Sequence, residues 1–190
     1  CSSDLADFQH IWPAPWIIDR IYLSGLGNFL GSHAYNVVHL RGGSKKWAGG
    51  DGSGAQKYVE EIDQKFPTPE HYLDFLWQSY QEILDKSKNK DTNLLLLSDS
   101  PWLAEQWLNK FQVGTYIPIA YTGPMVSSGI HQASEDLLKQ HGTSKIDLNF
   151  EILRDFAIMC NAQNIIHDGI SLFSQMADSV KSFALPAWKI

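Results

Sequence analysis

The chain has 190 residues, enough for one α/β domain or for one domain of a larger protein. Hydrophobic residues make up 44% of it and charged residues 19%, a globular composition with enough apolar mass for a core. Its formal net charge of −6 argues against nucleic acid or an anionic membrane as the main partner, but it leaves room for a local basic site built from one or two arginines.

The two cysteines, Cys1 and Cys160, are too few for a disulfide scaffold or a structural zinc site. The scattered histidines show no metal-ligand spacing, and no apolar run reaches the ~18 residues of a membrane span. We therefore predict no metal, no cofactor and a cytoplasmic protein. Peripheral membrane association stays an open alternative, as does a mature lipoprotein end, because the chain begins Cys-Ser-Ser without methionine.

The first half of the chain predicts an irregular lead-in followed by alternating elements. Residues 1–34 are rich in aromatics and proline and lack a clear period, so we place one domain at residues 35–190. The run AYNVVHL predicts a strand. A helix follows in TPEHYLDFLWQSYQEILDKSK, where Thr68 can cap the first turn and Pro69 suits its first position. The apolar run in TNLLLLSDS predicts a strand buried on both faces, and SPWLAEQWLNKF predicts the next helix.

The second half continues this alternation. VGTYIPIAY predicts a third strand, residues 122–145 a long loop with a little helix, DLNFEILRDFAIMCNA a helix, QNIIHDG a fourth strand and SLFSQMADSVKSF a closing helix. The fold class predicted is therefore α/β, a Rossmann-like parallel sheet flanked by helices. Ligands of such sheets bind beyond the carboxyl ends of the strands, so we expect three polar loops to share one edge: His39–Lys46, Ser98–Trp102 and Asp168–Ser174.

The first of these loops carries an arginine followed by two glycines. The planar guanidinium of Arg41 suits phosphate oxygens, and Gly42 and Gly43 let the backbone approach a ligand. The alternative is an exposed arginine that merely begins a loop. Two interpretations are also open for His39, which is either a buried structural residue or a base.

The other two loops allow similar pairs of interpretations. Ser98 and Asp99 could accept hydrogen bonds from a base or ribose, or Ser98, Asp99 and Ser100 could merely cap the helix that follows. Ser171 and Ser174 stand where a strand turns into a helix, whose free N–H groups attract anions. Their hydroxyls could hold a diphosphate opposite the arginine of the first loop, or could simply cap the closing helix.

The order of three short segments resembles a known family. VHLRGG gives an H-x-R segment after a strand, SDSP a polar segment after the next, and DGISLFSQ a final D…S-x-F-S type segment. Over roughly residues 35–180 the chain resembles the nucleotide-sugar half of GDP-fucose-dependent fucosyltransferases, the superfamily of the α1,2-, α1,6- and protein O-fucosyltransferases. The resemblance implies a Rossmann-like domain like the C-terminal domain of a GT-B glycosyltransferase. It also implies inverting, metal-independent transfer of a sugar from a GDP-sugar donor to the hydroxyl of a glycan or glycoconjugate acceptor.

Residue roles follow from the same resemblance. Arg41 matches the arginine that contacts the diphosphate and supports departure of GDP, and His39 matches the histidine of the H-x-R segment. Asp155 matches an aspartate near the guanine or the arginine. The implied catalytic residues are thus Arg41 and His39, and the implied nucleotide-sugar-binding residues are Arg41, Gly42, Ser98, Asp99, Asp155, Ser171, Phe173 and Ser174.

Two departures from the family pattern keep other functions open. Many relatives carry an acidic residue three positions after the arginine, where this chain has Ser44, so either another carboxylate such as Asp51 replaces it or transfer has been lost. The chain is also short for a two-domain enzyme, which predicts one domain of a longer enzyme or a minimal relative. The alternatives are a non-catalytic nucleotide-sugar-binding domain and an unrelated α/β hydrolase-like domain, which would need a nucleophile–base pair at the strand ends.

Overall fold

Strands and helices alternate along the chain in the computed structural model, which describes residues 34–43, 45, 47, 64–87, 92–121 and 134–182. Residues 1–33, most of the predicted lead-in, lie outside the described residues. In chain order the elements are β1 (Tyr35–Leu40), α1 (Pro69–Lys86), β2 (Asn93–Ser98), α2 (Pro101–Phe111), β3 (Thr115–Tyr116), α3 (Glu135–Gln140), α4 (Lys145–Asn161), β4 (Asn164–Ile166) and α5 (Leu172–Ser182).

The four strands form one parallel sheet in the order β3-β2-β1-β4. At its centre, Val38 lies opposite Leu96 on one side and Ile166 on the other. The chain adds β2 and β3 on one side of β1 and then returns to place β4 on the opposite side. The sheet is therefore the α/β, Rossmann-like arrangement that the alternation predicts, with a topological switch point between β1 and β4.

Side chains of the central strands alternate between two cores. Val37 and Leu97 pack in a cluster with α4 and α5, whereas Val38 and Leu96 pack in a second cluster with α1 and α2. Helices thus cover both faces of the sheet, which explains why its strands consist of continuous apolar runs rather than alternating patterns.

The predicted starts of the first two helices are confirmed. The side chain of Thr68 accepts a hydrogen bond from a first-turn N–H of α1 and is followed by Pro69, while Ser100 caps α2 and is followed by Pro101. Each cap satisfies an N–H group that has no partner within its helix, and each proline occupies a position that needs no donor. Among the described helices, none combines the length and apolar character needed to cross a membrane.

The third strand is shorter than predicted. The prediction ran over residues 113–121, but only the two residues of β3 pair with β2. Pro118 has no N–H to donate to a ladder, and its carbonyl oxygen accepts instead from Arg154 Nη1 at 3.2 Å. The N–H of Ala120 donates to Glu151 Oε1 at 2.7 Å. Side chains of α4 therefore hydrogen-bond to the backbone of Pro118 and Ala120, and the pairing of β3 with β2 does not continue through this segment.

The described part of the segment predicted as a long loop, residues 122–145, includes a short helix. Residues 122–133 lie outside the described residues, and α3 follows them, in line with the little helix that was predicted. Leu138 of α3 is fully buried against Ile119 and Leu148 in a small third cluster. This contact anchors the otherwise polar segment to the start of α4.

Candidate functional site

Loops after β1, β2 and β4 meet at the carboxyl edge of the sheet, as expected for parallel strands. Arg41, after β1, pairs with Asp99, after β2, at 2.6 Å. Lys45, further along the first loop, pairs with Asp168, after β4, at 3.1 Å. The Lys45–Asp168 pair crosses the topological switch point between β1 and β4, where open α/β sheets bind their ligands, and the Arg41–Asp99 pair lies beside it, between β1 and β2. The edge is therefore the candidate functional site.

Arg41 is held at three points. Its backbone N–H donates to the hydroxyl of Tyr72 in α1 at 2.8 Å, and its carbonyl oxygen accepts from Lys45 Nζ at 2.6 Å. Its guanidinium Nη1 lies 2.6 Å from Asp99 Oδ2. The side chain nevertheless keeps 29% of its surface exposed. Since a guanidinium has five N–H donors, this arginine can be fixed in place and still offer donors to a ligand.

Asp99 accepts from the backbone as well as from the arginine. The N–H of Gly42 donates to Oδ1 at 2.6 Å and that of Gly43 to Oδ2 at 3.1 Å. The carboxylate therefore receives two successive N–H groups and a guanidinium, which is the type of donor set that binds anions. Asp99 was predicted to accept hydrogen bonds from a base or ribose, yet its oxygens are engaged within the protein.

Gly43 is required by the closeness of this packing. A Cβ atom at this position would lie 3.0 Å from Arg41 Nη2 and 3.1 Å from Asp99 Oδ2. Any larger residue would push the guanidinium or the carboxylate out of place. The arginine, the aspartate and the glycine backbone thus form one tightly fitted unit, which we call the Arg41 clamp.

Beneath the clamp lies a buried ion pair. The Lys45 and Asp168 side chains are 1% and 2% exposed, and Lys45 Nζ also lies 4.4 Å from the centre of the Tyr72 ring. Burial lowers the pKa of Lys45, and the charge of Asp168 opposes that shift. Burial acts to raise the pKa of Asp168, but the Lys45 charge and two backbone N–H groups outweigh it and lower the pKa. The pair ties the first loop to the last.

The same aspartate organises the turn that leads into α5. Asp168 Oδ1 accepts from the N–H groups of Ile170 and Ser171, each at 2.9 Å. Gly169 adopts a φ of 74°, a left-handed conformation that glycine reaches without strain. Lys65 Nζ donates to the Asp168 carbonyl oxygen at 2.9 Å. Asp168 therefore shapes the turn before α5, and Ser171, itself buried, supplies a backbone N–H to this arrangement.

His39 lies below the edge rather than on it. Its Nδ1 is hydrogen-bonded to the hydroxyl of Ser174, and its ring packs against Phe173, which in turn packs against Phe156. Burial lowers the pKa of His39 to about 4, so the ring is neutral at physiological pH. The histidine and serine form the kind of pair that the hydrolase alternative requires. However, His39 is 5% exposed and Ser174 is fully buried, which makes this contact a structural one.

Ser98 is also an internal residue, with 2% of its surface exposed. Its hydroxyl lies 2.7 Å from the carbonyl oxygen of Leu40 and accepts the N–H of Ser100 at 3.0 Å. These bonds lock the ends of β1 and β2 together and set the start of α2. Two interpretations were given for Ser98 and its neighbours, ligand binding and helix capping. The structure shows capping, because Ser100 caps α2.

Asp155 lies on the β3 side of the edge. Its Oδ1 accepts from Arg154 Nε at 2.9 Å and Nη2 at 2.7 Å. Burial raises its pKa to about 6, although the Arg154 charge counteracts the shift. Burial raises the pKa of the Tyr116 hydroxyl, and the charges of Asp155 and Asp99 act in the same direction, against a backbone hydrogen bond at Ile119 and the Arg154 charge. Asp155 itself pairs with its own neighbour in α4.

Three residues that the sequence reasoning missed hold the site together: Lys45, Tyr72 and Asp168. Asp168 carries a usable signal, because an aspartate just after a strand and next to a glycine is typical of a turn in which the side chain accepts from the backbone N–H two residues on. Lys45 and Tyr72 have no such signal in the sequence. Their roles depend on the path of the first loop over α1, which the residue pattern does not specify.

Ser44 and Asp51, the positions on which the family departure depends, lie outside the described residues. In the part of the chain that the structure describes, no group of three or more histidine, cysteine, aspartate or glutamate side chains could hold a metal ion. A scan against protein-family models finds no matching family. A search of curated proteins finds no match either.

Proposed function

We propose that this chain is the nucleotide-sugar-binding part of a glycosyltransferase of the fucosyltransferase-like type. It would transfer a sugar from a GDP-sugar donor to the hydroxyl of a glycan or glycoconjugate, with inversion and without a metal, and it would work in the cytoplasm. The proposal joins the H-x-R, SDSP and final serine-rich segments of the sequence to one feature of the geometry, the Arg41 clamp.

The clamp supports the proposal because it places a fixed, partly exposed cation at the switch point of a Rossmann-like sheet. Arg41 is held through its N–H, its carbonyl oxygen and its guanidinium, yet 29% of its side chain remains open. A preorganised donor of this kind needs no rearrangement when charge develops beside it. An arginine that merely began a surface loop would have no reason to be held at three points.

The chemistry of the proposed reaction places its largest charge change at the diphosphate. The acceptor hydroxyl oxygen attacks the anomeric carbon from the face opposite GDP, the bond from that carbon to the β-phosphate oxygen breaks, and its electron pair leaves with GDP. The guanidinium of Arg41 would stabilise this added negative charge through bidentate hydrogen bonds. The proton of the acceptor hydroxyl must pass to a base. Because Ser44 stands at the family's acidic position, the proposed transfer needs another carboxylate, such as Asp51, to take this proton.

His39 and Asp155 take different parts in this proposal. His39, bound to Ser174 and buried, would hold the first turn of α5 against β1 and would not touch the donor. Asp155, at the β3 side of the edge, would accept hydrogen bonds from the guanine ring, as the resemblance implies. Its raised pKa of about 6 would leave it mostly ionised, and able to accept, at neutral pH.

Calorimetric titration of the intact chain with GDP and GDP-fucose tests the proposal. Binding is expected, and Arg41→Ala should weaken it at least tenfold because the diphosphate loses its guanidinium partner. Lys110→Ala is the matched control, since Lys110 pairs with Asp74 at 2.6 Å on the outer helices and its loss changes net charge equally. A wild-type chain without affinity for GDP, or an Arg41→Ala variant that binds as tightly as the control, would refute the proposal.

A comparison of donors sharpens the same test. A nucleotide sugar that binds the folded chain should raise its apparent stability, by about 2.7 kcal/mol at a ligand concentration of a hundred times Kd. We expect the GDP-linked sugars to stabilise the chain and the UDP-sugars to leave it unchanged, because Asp155 is proposed to read guanine. Equal stabilisation by both nucleotides would contradict that role of Asp155.

Ser44 supports a second candidate function, a domain that binds the nucleotide sugar without transferring it. A serine cannot take a proton as a carboxylate does, so the family's acid–base chemistry has no group at that position. Release of GDP from GDP-fucose, with and without glycan acceptors, separates the candidates. Turnover would exclude the binding-only function, whereas tight binding without turnover, together with activity gained in Ser44→Asp, would support it.

A further inference from the structure

We propose that Asp99 is a positioning residue, whose negative charge fixes Arg41 and the Gly42–Gly43 backbone in the geometry that binds a diphosphate, and that it does not contact the ligand. This inference rests on the proposed function, because it concerns how the same edge of the sheet binds the phosphates of GDP. It reverses the simplest expectation for the site, which is that a negative charge beside an anion-binding arginine weakens the binding.

The contacts of the carboxylate point to this role. Its two oxygens accept from Arg41 Nη1, from the Gly42 N–H and from the Gly43 N–H, at 2.6, 2.6 and 3.1 Å, and the side chain is only 10% exposed. These bonds leave the carboxylate little surface to meet a ligand. The Arg41 side chain, in contrast, is 29% exposed. A ligand therefore has more access to the arginine than to the aspartate.

The backbone around Asp99 prevents the carboxylate from moving aside. Ser98 is fixed by its hydroxyl between the ends of β1 and β2, and Ser100 caps α2, so the residues on both sides of Asp99 are held. The aspartate side chain has only two rotatable bonds and cannot swing far from this anchored backbone. Gly43 packs against the same group so closely that an added Cβ would lie 3.1 Å from Oδ2. The carboxylate is thus a permanent part of the clamp.

An alternative role for the Asp99 carboxylate predicts the opposite effect on ligand affinity. Two successive backbone N–H groups and a guanidinium form an anion-binding concavity, so the carboxylate could be a placeholder that the phosphate displaces. In that case the removal of its charge would empty the concavity and tighten the binding of anions. The positioning role predicts the reverse, because without the charge the guanidinium loses the ion pair that orients it. The sign of the change in affinity therefore decides between them.

Asp99→Asn is the deciding variant, because it removes the charge with almost no change in shape. We expect the dissociation constants for GDP and for inorganic pyrophosphate, measured by calorimetry on the intact chain, to rise about tenfold or more. Asp74→Asn is the matched control, since it removes the carboxylate of a half-exposed ion pair with Lys110 and should leave both constants unchanged. Unchanged or tighter binding by Asp99→Asn would overturn the inference and leave the proposed function standing. No binding by the wild type would overturn both.

A double-mutant cycle separates positioning from a general loss of structure. If Asp99 acts through Arg41, Asp99→Asn should weaken pyrophosphate binding in the wild-type background and have little further effect in Arg41→Ala. A purely structural role would weaken binding by the same factor in both backgrounds, which would contradict the inference. Gly43→Ala provides a second route if Asp99→Asn fails to fold. It keeps both charges but pushes them apart, and we expect the same loss of affinity.

Discussion

Two ion pairs hold the loops at the carboxyl edge of the sheet, and they differ in how much of them water can reach. Lys45 and Asp168 are 1% and 2% exposed, whereas Arg41 and Asp99 are 29% and 10% exposed. A buried pair that satisfies its own charges can hold loops together but has no face for a ligand. A partly open pair keeps donors available. The edge thus consists of an inner layer that sets the structure and an outer layer that is able to bind.

The largest effect is expected from breaking the inner pair. Lys45→Met leaves the buried Asp168 carboxylate without its cation, which should lower the free energy of unfolding by about 3–5 kcal/mol. Urea unfolding monitored by circular dichroism measures this. The double variant Lys45→Met/Asp168→Asn should recover part of the loss, because no charge is then left unpaired. Lys110→Met, which breaks the half-exposed pair with Asp74, should cost less than about 1 kcal/mol. Similar costs for the two lysines would remove the distinction between the layers.

The pH dependence of stability tests whether His39, which is buried below the edge, belongs with the inner layer. Burial lowers the pKa of His39 from its usual 6.5 to about 4, so the unfolded chain takes up the proton first as the pH falls. The stability that neutral His39 provides is therefore fully present above pH 6.5 and is lost as the pH falls toward 4. Between pH 7 and 5 this should lower the free energy of unfolding by about 2 kcal/mol.

His39→Gln isolates this contribution, because glutamine does not titrate. The raised pKa of Asp155, about 6, works in the opposite direction over the same range, since stability from that group falls as the pH rises. Both proteins retain Asp155, so the difference between their unfolding free energies at pH 7, 6 and 5 reports His39 alone. If that difference does not change with pH, His39 titrates normally and is not part of the inner layer.

A smaller effect is expected where the outer layer is packed most closely. The added Cβ of Gly43→Ala would lie 3.0 Å from Arg41 Nη2, so the clamp must open by a few tenths of an ångström. We expect the free energy of unfolding to fall by about 1 kcal/mol, with the inner pair intact. Thermal unfolding of this variant beside wild type measures the cost. A loss as large as that of Lys45→Met would show that the two layers are not separable.

The smallest effect on stability should come from Arg41→Lys. A lysine keeps the charge but loses the planar fork of donors, and because the side chain is partly exposed the free energy of unfolding should change by less than about 1 kcal/mol. The affinity for GDP should nevertheless fall about tenfold, since a single ammonium cannot make the bidentate contact. Calorimetry and urea unfolding on one preparation give both numbers. A stability loss without an affinity loss would move Arg41 from the outer layer to the inner one.

The fold could be predicted well because its signals are local. Apolar runs of strand length, and the Thr68-Pro69 and Ser100-Pro101 starts, each depend on neighbours in the chain. The parallel sheet then follows from the alternation of strands and helices. The third strand was overestimated because its end is decided by Glu151 and Arg154, which are more than 30 residues away in sequence. A periodic pattern carries no information about such distant partners.

The site could be predicted only in outline. The meeting of three loops follows from strand polarity, and Arg41 stands out by residue type. The sequence does not predict which residues stabilise the site and which are open to a ligand, because this depends on which side chains are buried. His39 and Ser174 are residue types that often form a reactive pair, yet both are buried in the protein. Lys45 is a residue type that is usually found at the surface, yet it is almost completely buried. Burial is a property of the assembled loops and not of any single motif.

The side chains of α4 that hydrogen-bond to the backbone of Pro118 and Ala120 also affect whether another strand can pair with this side of the sheet. An outer strand normally presents a row of unpaired N–H and carbonyl groups to which another chain can add, with the risk of aggregation. In the described residues β3 pairs over two positions only, and the backbone beyond it is occupied by Pro118, Arg154 and Glu151. These contacts therefore disfavour the addition of a further strand at this border of the sheet.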